Sequence, residues 1–208
     1  MSDSILARSA PLRHDYFEKH GELIKSLAQQ GQSPDALFVG CSDSRIMPEH
    51  LLGANPGDLF VLRNVANIIP PYHQTEIGIV SVLEYAILHL NVPHIIVCGH
   101  TDCGGIKGLD TQIDMSHEPA LSRWLDLARP SQRDVDFAMR DLSPKERHLA
   151  IVERNVINQL TNVQSYPFIR ERLDADQLEL HGWVYHLETQ QISHYDPDSG
   201  QFIIFQQG

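Results

Sequence analysis

The sequence predicts an α/β protein built on a mainly parallel β-sheet flanked by helices, with an N-terminal helical arm and a C-terminal hairpin-like extension. Three observations carry that prediction. Apolar runs at 36–41, 58–62 and 94–99 are short and bounded by Gly or Pro, as buried strands are. A stripe of helical period lies between the second and third runs, and strand–helix–strand order requires a crossover and parallel pairing. From 178 onward apolar and polar residues alternate, and turn residues near Gln190 and at 197–200 divide the stretch into three strands.

The remaining elements follow in chain order. Residues 12–30 carry Leu12, Tyr16, Phe17, Leu23, Ile24 and Leu27 at helical spacing, with a break expected at Gly21 and an end at Gly31. Such an arm needs a surface to lie on, either its own core or another subunit. Residues 48–54 fit a short helix with Pro48 in its first position. Residues 75–90 read as one long helix capped by Thr75, with Ile79, Leu83, Ala86 and Leu90 on one stripe and Pro93 stopping it. The stretch 110–141 is polar and reads as irregular apart from a helix at 121–128. Ser143-Pro144-Lys145-Glu146 is a capping box that opens a helix whose stripe is Leu149, Val152, Val156 and Leu160. One domain is expected over 1–208, with residues 1–31 as an arm that makes a dimer contact.

Composition removes several function classes. The chain has 208 residues, 42% of them hydrophobic, which is enough for one substantial core. A net charge of -11 argues against a nucleic-acid partner and against docking on anionic lipid, since both need a basic face. No apolar run approaches the length of a bilayer span, so no membrane partner is expected. Residues 1–10 have neither the apolar core nor the small-residue cleavage site of a secretory signal. Three cysteines cannot all pair within the chain, which points to reduced thiols and a cytoplasmic setting.

Two segments place metal-type ligands directly after a strand. Cys41-Ser42-Asp43-Ser44-Arg45 follows the first run, and His100-Thr101-Asp102-Cys103-Gly104-Gly105 follows the third. In open α/β sheets, loops leaving the carboxyl ends of neighbouring strands share a crevice, so Cys41, His100 and Cys103 would meet there. Two thiolates and one imidazole suit zinc, and three protein ligands leave a fourth position for water, as catalytic sites do. Spacing alone keeps the alternative open, because a buried cysteine at a strand end is commonly inert core. Cys98, inside the third run, is read that way. Asp43 and Arg45 favour the metal: a guanidinium on a carboxylate keeps it ionised and oriented, ready to accept a proton from water on the metal. On an open surface the same pair would be worth only about 0–1 kcal/mol.

Together, CSDSR at 41–45, RNVAN at 63–67 and GHTDCGGIKG at 99–108 resemble the β-class carbonic anhydrases. The likeness runs in order and spacing over 32–109 and continues more weakly through HGWVY at 181–185. It implies one zinc ion per chain on Cys41, His100 and Cys103, with Asp43 and Arg45 as the catalytic dyad. In a closed state known from part of the family, Asp43 would itself take the fourth zinc position. A regulated bacterial branch holds that state with bicarbonate and a Trp three residues before the first Cys. Phe38 stands there instead, although Arg63 and Tyr185 fit other parts of that pocket. The chain resembles the plant-type branch, whose habits recur as QSP at 32–34, PPY at 70–72, Glu84-Tyr85 and GIKG at 105–108. The resemblance implies a carbon dioxide pocket lined by Gln32, Phe60, Val65, Tyr85 and the backbone at Gly104, shared by two subunits of a dimer or tetramer. Apart from the family, Phe60, Val65 and Tyr85 read simply as core residues. Asp102 replaces the small or aromatic residue usual at its position, and no role is assigned to it.

The implied function is zinc-dependent, reversible hydration of carbon dioxide to bicarbonate and a proton, by attack of zinc-bound hydroxide. Gln32 would polarise a substrate oxygen and Asp43 would orient the nucleophile. Two thiolate ligands should leave the bound water more basic than the ~7 reached on neutral imidazoles. His50 and His73 are candidates to carry the proton away, and each reads equally well as a surface histidine. Two alternatives stand beside this reading: hydrolysis of carbonyl sulfide or carbon disulfide, and a non-catalytic zinc-stabilised scaffold or carbon dioxide sensor. The Asp43–Arg45 pair argues against the second, since a structural metal needs no such dyad.

Overall fold

Six strands form one sheet in the order β2-β1-β3-β4-β5-β6 in the computed structural model, which describes residues 5–74, 76–111 and 113–205, with side chains from residue 13. β1 (Ala36–Cys41), β2 (Leu59–Asn64), β3 (His94–His100) and β4 (Glu179–His186) run parallel, and β5 (Gln191–Asp196) and β6 (Gln201–Ile204) fold back antiparallel. The central strands β1 and β3 are buried on both faces, which is why they are written in apolar residues without alternation. β2 departs from the expected 58–62. It runs from Leu59 to Asn64 and is only half-buried, as the edge strand of the sheet among the described residues.

One face of the sheet carries the main core. α3 (Ile77–Glu84), α7 (Pro144–Gln164) and α8 (Pro167–Asp174) bring Leu83, Ile151, Val152, Val156 and Ile169 against Leu37, Val39, Ile95 and Val97. Each such side chain withdrawn from water contributes roughly 1.5–3 kcal/mol. α7 begins at the expected capping box: the Glu146 N–H donates to Ser143 Oγ, and the Glu146 carboxylate accepts the Ser143 N–H at 2.9 Å. Its close approach requires bare backbone below it. A Cβ on Gly99 would stand 2.9 Å from Val156, and one on Gly182 would stand 2.8 Å from Leu160. The opposite face is thinner. Phe38, Ile96 and Cys98 are covered there by Leu51 and Leu52 of α2 (Pro48–Leu52) and by Trp183 and Tyr185.

Four sequence expectations need correction. α1 (Ile5–Gln30) runs unbroken through Gly21, where open space surrounds the glycine and its cost of about 1 kcal/mol does not stop the helix. The helix expected over 75–90 is α-helical only from Ile77, and Thr75, its expected cap, lies outside the described residues. At Tyr85–His89 it widens into a π turn, with the Leu90 N–H donating to the Tyr85 carbonyl at 3.0 Å, and the chain then leaves for Pro93. The stretch 110–141 is not irregular: it holds α5 (Pro119–Asp126), where 121–128 was expected, and α6 (Arg129–Ala138). α6 buries only Ser131 and Val135, so almost no apolar period marks it.

The arm keeps much of its apolar stripe in solvent. Tyr16 and Phe17 are 47% and 52% exposed, while Leu27 lies over Gly57. The side chain of Leu12 lies outside the described residues. Among those residues no helix is long and apolar enough to cross a membrane.

Candidate metal centre

The loops after β1 and β3 bring three ligand-type side chains together. Cys41 and His100 end their strands, Cys103 follows a tight turn, and the ligand atoms of all three lie within 4.8 Å of one another. All are buried, with His100 and Cys103 each 1% exposed. Asp102, in the turn between them, has left-handed backbone at φ 60°. α4 (Gly104–Lys107) begins directly after Cys103.

The donor set fits zinc on three observations. The Thr101 carbonyl lies 2.9 Å from His100 Nδ1, which makes that nitrogen the N–H and leaves the lone pair on Nε2. Among the described residues His100 Nε2 is buried with no hydrogen-bond partner, a costly state for an interior imidazole unless a cation receives the lone pair. The two sulfurs are 4.0 Å apart, near the edge of about 3.8 Å expected of a tetrahedron with zinc–sulfur bonds of about 2.3 Å.

The backbone also prepares the thiols. N–H groups of Asp43 and Ala66 serve the Cys41 sulfur, and those of Gly105 and Ile106 serve the Cys103 sulfur. The hydrogen bond between the sulfurs pushes Cys41 down and Cys103 up, and burial adds to the rise of Cys103. The pair therefore loses one proton readily and the second with difficulty, and a bound divalent cation would supply the charge that removes the second. Cys98 is different: burial pushes its thiol up to about 12, in keeping with inert core.

Asp43 and Arg45 form the two-pronged pair that the sequence suggested. Arg45 Nε donates to Asp43 Oδ1 at 2.9 Å, Nη2 donates to Oδ2 at 2.7 Å, and the Arg45 backbone N–H adds a bond to Oδ1 at 3.0 Å. These bonds hold the carboxyl well below the usual carboxylate range. Asp43 Oδ2 stands 3.9 Å from His100 Nε2, beside the ligands and committed to Arg45.

Asp102, which had no role in the sequence, is what holds the far side of Arg45. Its carboxylate accepts from Arg45 Nη1 at 2.8 Å and from Lys107 Nζ, and its carbonyl accepts from Arg45 Nη2 at 3.1 Å. Arg45 and then Lys107 pull the Asp102 carboxyl down to about 2. Arg63 steadies the loop from beneath, donating to the carbonyls of Cys41 and Asp43 at 2.9 and 2.7 Å.

Sequence reasoning missed the amides that hold the turn after β2. Ala66 and Asn67 adopt left-handed backbone at φ 64° and 47°, uncommon for residues with a Cβ. Asn155 Nδ2 donates to the Ala66 carbonyl at 3.0 Å, and Gln159 accepts the Ile69 N–H at 2.8 Å while donating to Asn155 at 2.9 Å. Asn162 donates to the Ile69 carbonyl at 2.8 Å, and Trp124 Nε1 to that of Val65 at 2.8 Å. This ladder sets the Ala66 N–H against the Cys41 sulfur. Its signal lay in three amides, at 155, 159 and 162, sharing the helical stripe of Val152 and Val156.

The expected pocket residues fall into two groups. Val65 and Gly104 lie at the carboxyl end of the sheet, beside the ligands. Gly105 packs so closely on that turn that a Cβ would stand 2.9 Å from Val65 and from Ala66. Phe60 and Tyr85 stack with ring centroids 5.7 Å apart, but Phe60 pairs with Leu37, four residues before Cys41 along the sheet. Gln32 precedes β1 altogether and is exposed. One chain does not bring these three to Cys41. Phe38 is fully buried in the thin face of the sheet. A cavity of about 1120 Å³ opens beside Arg45 and Asp102. His148 and His186 line it, whereas His50 and His73 do not.

Fold and site together define an α/β protein with a buried Cys₂His group suited to a metal at the carboxyl end of a parallel sheet, flanked by a locked carboxylate. Residues 36–192 match the family model described as carbonic anhydrase. Carbonic anhydrase 1 of Escherichia coli O157:H7 is 41% identical over 191 residues, covering 92% of this chain and 86% of that one. The solved structure of the β-carbonic anhydrase CcaA superposes with a TM-score of 0.89 at 36% identity, over 97% of this chain and 98% of that one. One of two tetrameric β-carbonic anhydrases from Sordaria macrospora does so with a TM-score of 0.81 at 33% identity, over 91% and 93%. The chain belongs to the β-class carbonic anhydrase family.

Proposed function

We propose that this chain catalyses the reversible hydration of carbon dioxide to bicarbonate and a proton, with one zinc ion per chain on Cys41, His100 and Cys103. The observation that carries the reading is the buried, partnerless Nε2 of His100, set beside two sulfurs and an ionised Asp43. Zinc, when bound, supplies a nucleophile from water near neutral pH and offsets charge that develops on the substrate. Asp43, kept ionised by Arg45, is acceptor-only and can take and orient a proton at Oδ2. Arg45 has a second task. By holding both carboxylate oxygens, with Asp102 bracing it, it keeps Asp43 away from the ligands and leaves the centre open at rest. The proton leaves toward the cavity, where His148 and His186 are better placed than His50 or His73.

Substrate would sit against Val65 and the backbone of Gly104 on one chain. Phe60, Tyr85 and Gln32 lie too far along the strands to close that pocket from within, so a second copy supplies them. The exposed apolar stripe of α1 fits the same arrangement, a homodimer or a tetramer of two dimers. Stopped-flow hydration of carbon dioxide on the zinc-loaded chain, run beside carbonyl sulfide hydrolysis, tests the proposal. Fast, zinc-dependent hydration with little carbonyl sulfide turnover is expected; the reverse preference, or no turnover with stoichiometric zinc, overturns it.

A further inference from the structure

A second group of ligand-type side chains sits at the opposite end of the strand that bears His100. His94 opens β3, Glu179 opens β4, and His181 follows Glu179 by two residues, on the same side of its strand. The register pairs His94 with Glu179 and Ile96 with His181. Six residues of strand separate His94 from His100, which at about 3.3 Å per residue puts roughly 20 Å between the two groups.

Three donor atoms converge there. His181 Nε2 is 3.2 Å from His94 Nδ1, and Glu179 Oε2 is 3.8 Å from each of those nitrogens. The same three atoms define all three distances, so they form one triangle. The circle through its corners has a radius of about 2.1 Å, which is the length of a zinc–imidazole or zinc–carboxylate bond. A point at bonding distance from all three donors therefore exists without any rearrangement. A hydrogen-bonded histidine pair alone explains the 3.2 Å contact. It leaves unexplained a carboxylate oxygen equidistant from both nitrogens and too far from either for a hydrogen bond.

We propose that His94, Glu179 and His181 bind a second divalent cation of the zinc class at the amino end of the sheet. Two imidazoles and one carboxylate are the donor set of His₂Glu zinc sites and of facial triads, while calcium and magnesium prefer all-oxygen sites. The side chains of His94, Glu179 and His181 are 41%, 70% and 32% exposed, so the remaining coordination positions face solvent and the ion exchanges freely.

The test uses the whole chain already loaded at its cysteine site. Dialysed against micromolar free zinc, it holds two zinc ions per chain, and the variant with His94→Gln and His181→Gln holds one while hydrating carbon dioxide at the unchanged rate. Nickel gives a second readout. The Trp183 and His181 rings are 6.4 Å apart, so nickel bound there quenches Trp183 fluorescence saturably. Glu179→Gln, a change at an exposed side chain that leaves both histidines in place, weakens that quenching by about tenfold. A single zinc in the wild-type chain, a second zinc that survives the double substitution, or quenching indifferent to Glu179→Gln overturns the proposal.

Discussion

The two ends of β3 carry the same side chain in opposite circumstances. At the carboxyl end His100 is almost wholly buried, with Nδ1 fixed by the Thr101 carbonyl and Nε2 without a hydrogen-bond partner among the described residues. At the amino end His94 is well exposed and shares a hydrogen bond with another histidine. The ligand types differ less than their surroundings do. Behind Cys41, His100 and Cys103 stand four backbone N–H groups aimed at sulfur, Arg63 on two loop carbonyls, and the amide ladder of α7 beneath Ala66. Among the described residues nothing comparable fixes Glu179, whose carboxylate is 70% exposed. Donors that are desolvated and oriented before the metal arrives suit tight binding and chemistry, whereas donors ordered only on binding suit exchange.

The largest expected effect removes the buried end. His100→Ala should lose zinc and hydration activity together, with turnover down by about a thousandfold or more; elemental analysis beside stopped-flow rates checks both. Next is Arg45→Ala, which should keep zinc yet lower kcat by about a hundredfold, because Asp43 is freed to swing onto the metal. Zinc lost along with activity would instead make Arg45 a scaffold residue. Asp102→Asn should retain zinc and lower kcat by several-fold, about 3–10, by loosening Arg45, with KM little changed. An equal rise in KM would point to substrate contact rather than positioning.

Two further substitutions address the support behind the site. Asn155→Ala should cost about 1–3 kcal/mol in denaturant unfolding, since it strips the Ala66 carbonyl and Gln159 of a buried partner. Glu153, on the same helix, should show an effect that depends on pH. Burial pushes its carboxyl up to about 7, so the folded chain binds that proton more tightly than the unfolded chain, whose pKa is about 4.3. Stability from this group therefore falls as pH rises from about 4.3 to 7 and stays low above. Glu153→Gln should stabilise the chain at pH 8 and change little at pH 4, as thermal unfolding at the two pH values would show.

The meeting of Cys41, His100 and Cys103 was legible from sequence, because Cys41 and His100 each end an uninterrupted apolar run, and such runs become central strands whose carboxyl ends converge. Ser143 and Glu146 were equally readable, since a capping box is local chemistry. What escaped depends on distant parts of the chain meeting. The part played by Asp102 is set by where Arg45 and Lys107 arrive, and that of Asn155 by a left-handed turn 89 residues away. α6 was missed because a helix that buries a serine and a valine has no stripe to find. The π turn at Tyr85–His89 leaves no mark, as its residues would suit an α-helix equally well. The grouping of His94 with Glu179 and His181 was hidden for a related reason: it is made by strand register, and no short motif spans it.

X-ray absorption at the zinc edge, on wild-type chain carrying one equivalent of zinc near pH 8, measures the donors at the buried end of β3. Two sulfurs at about 2.3 Å and two nitrogen or oxygen neighbours at about 2.0–2.1 Å are expected, and replacing Asp43 by Asn should leave that shell unchanged. A shell of nitrogen and oxygen alone would mean that the first zinc ion does not go to Cys41 and Cys103. A shell that changes when Asp43 is replaced would mean that the carboxylate, rather than water, holds the fourth position at rest.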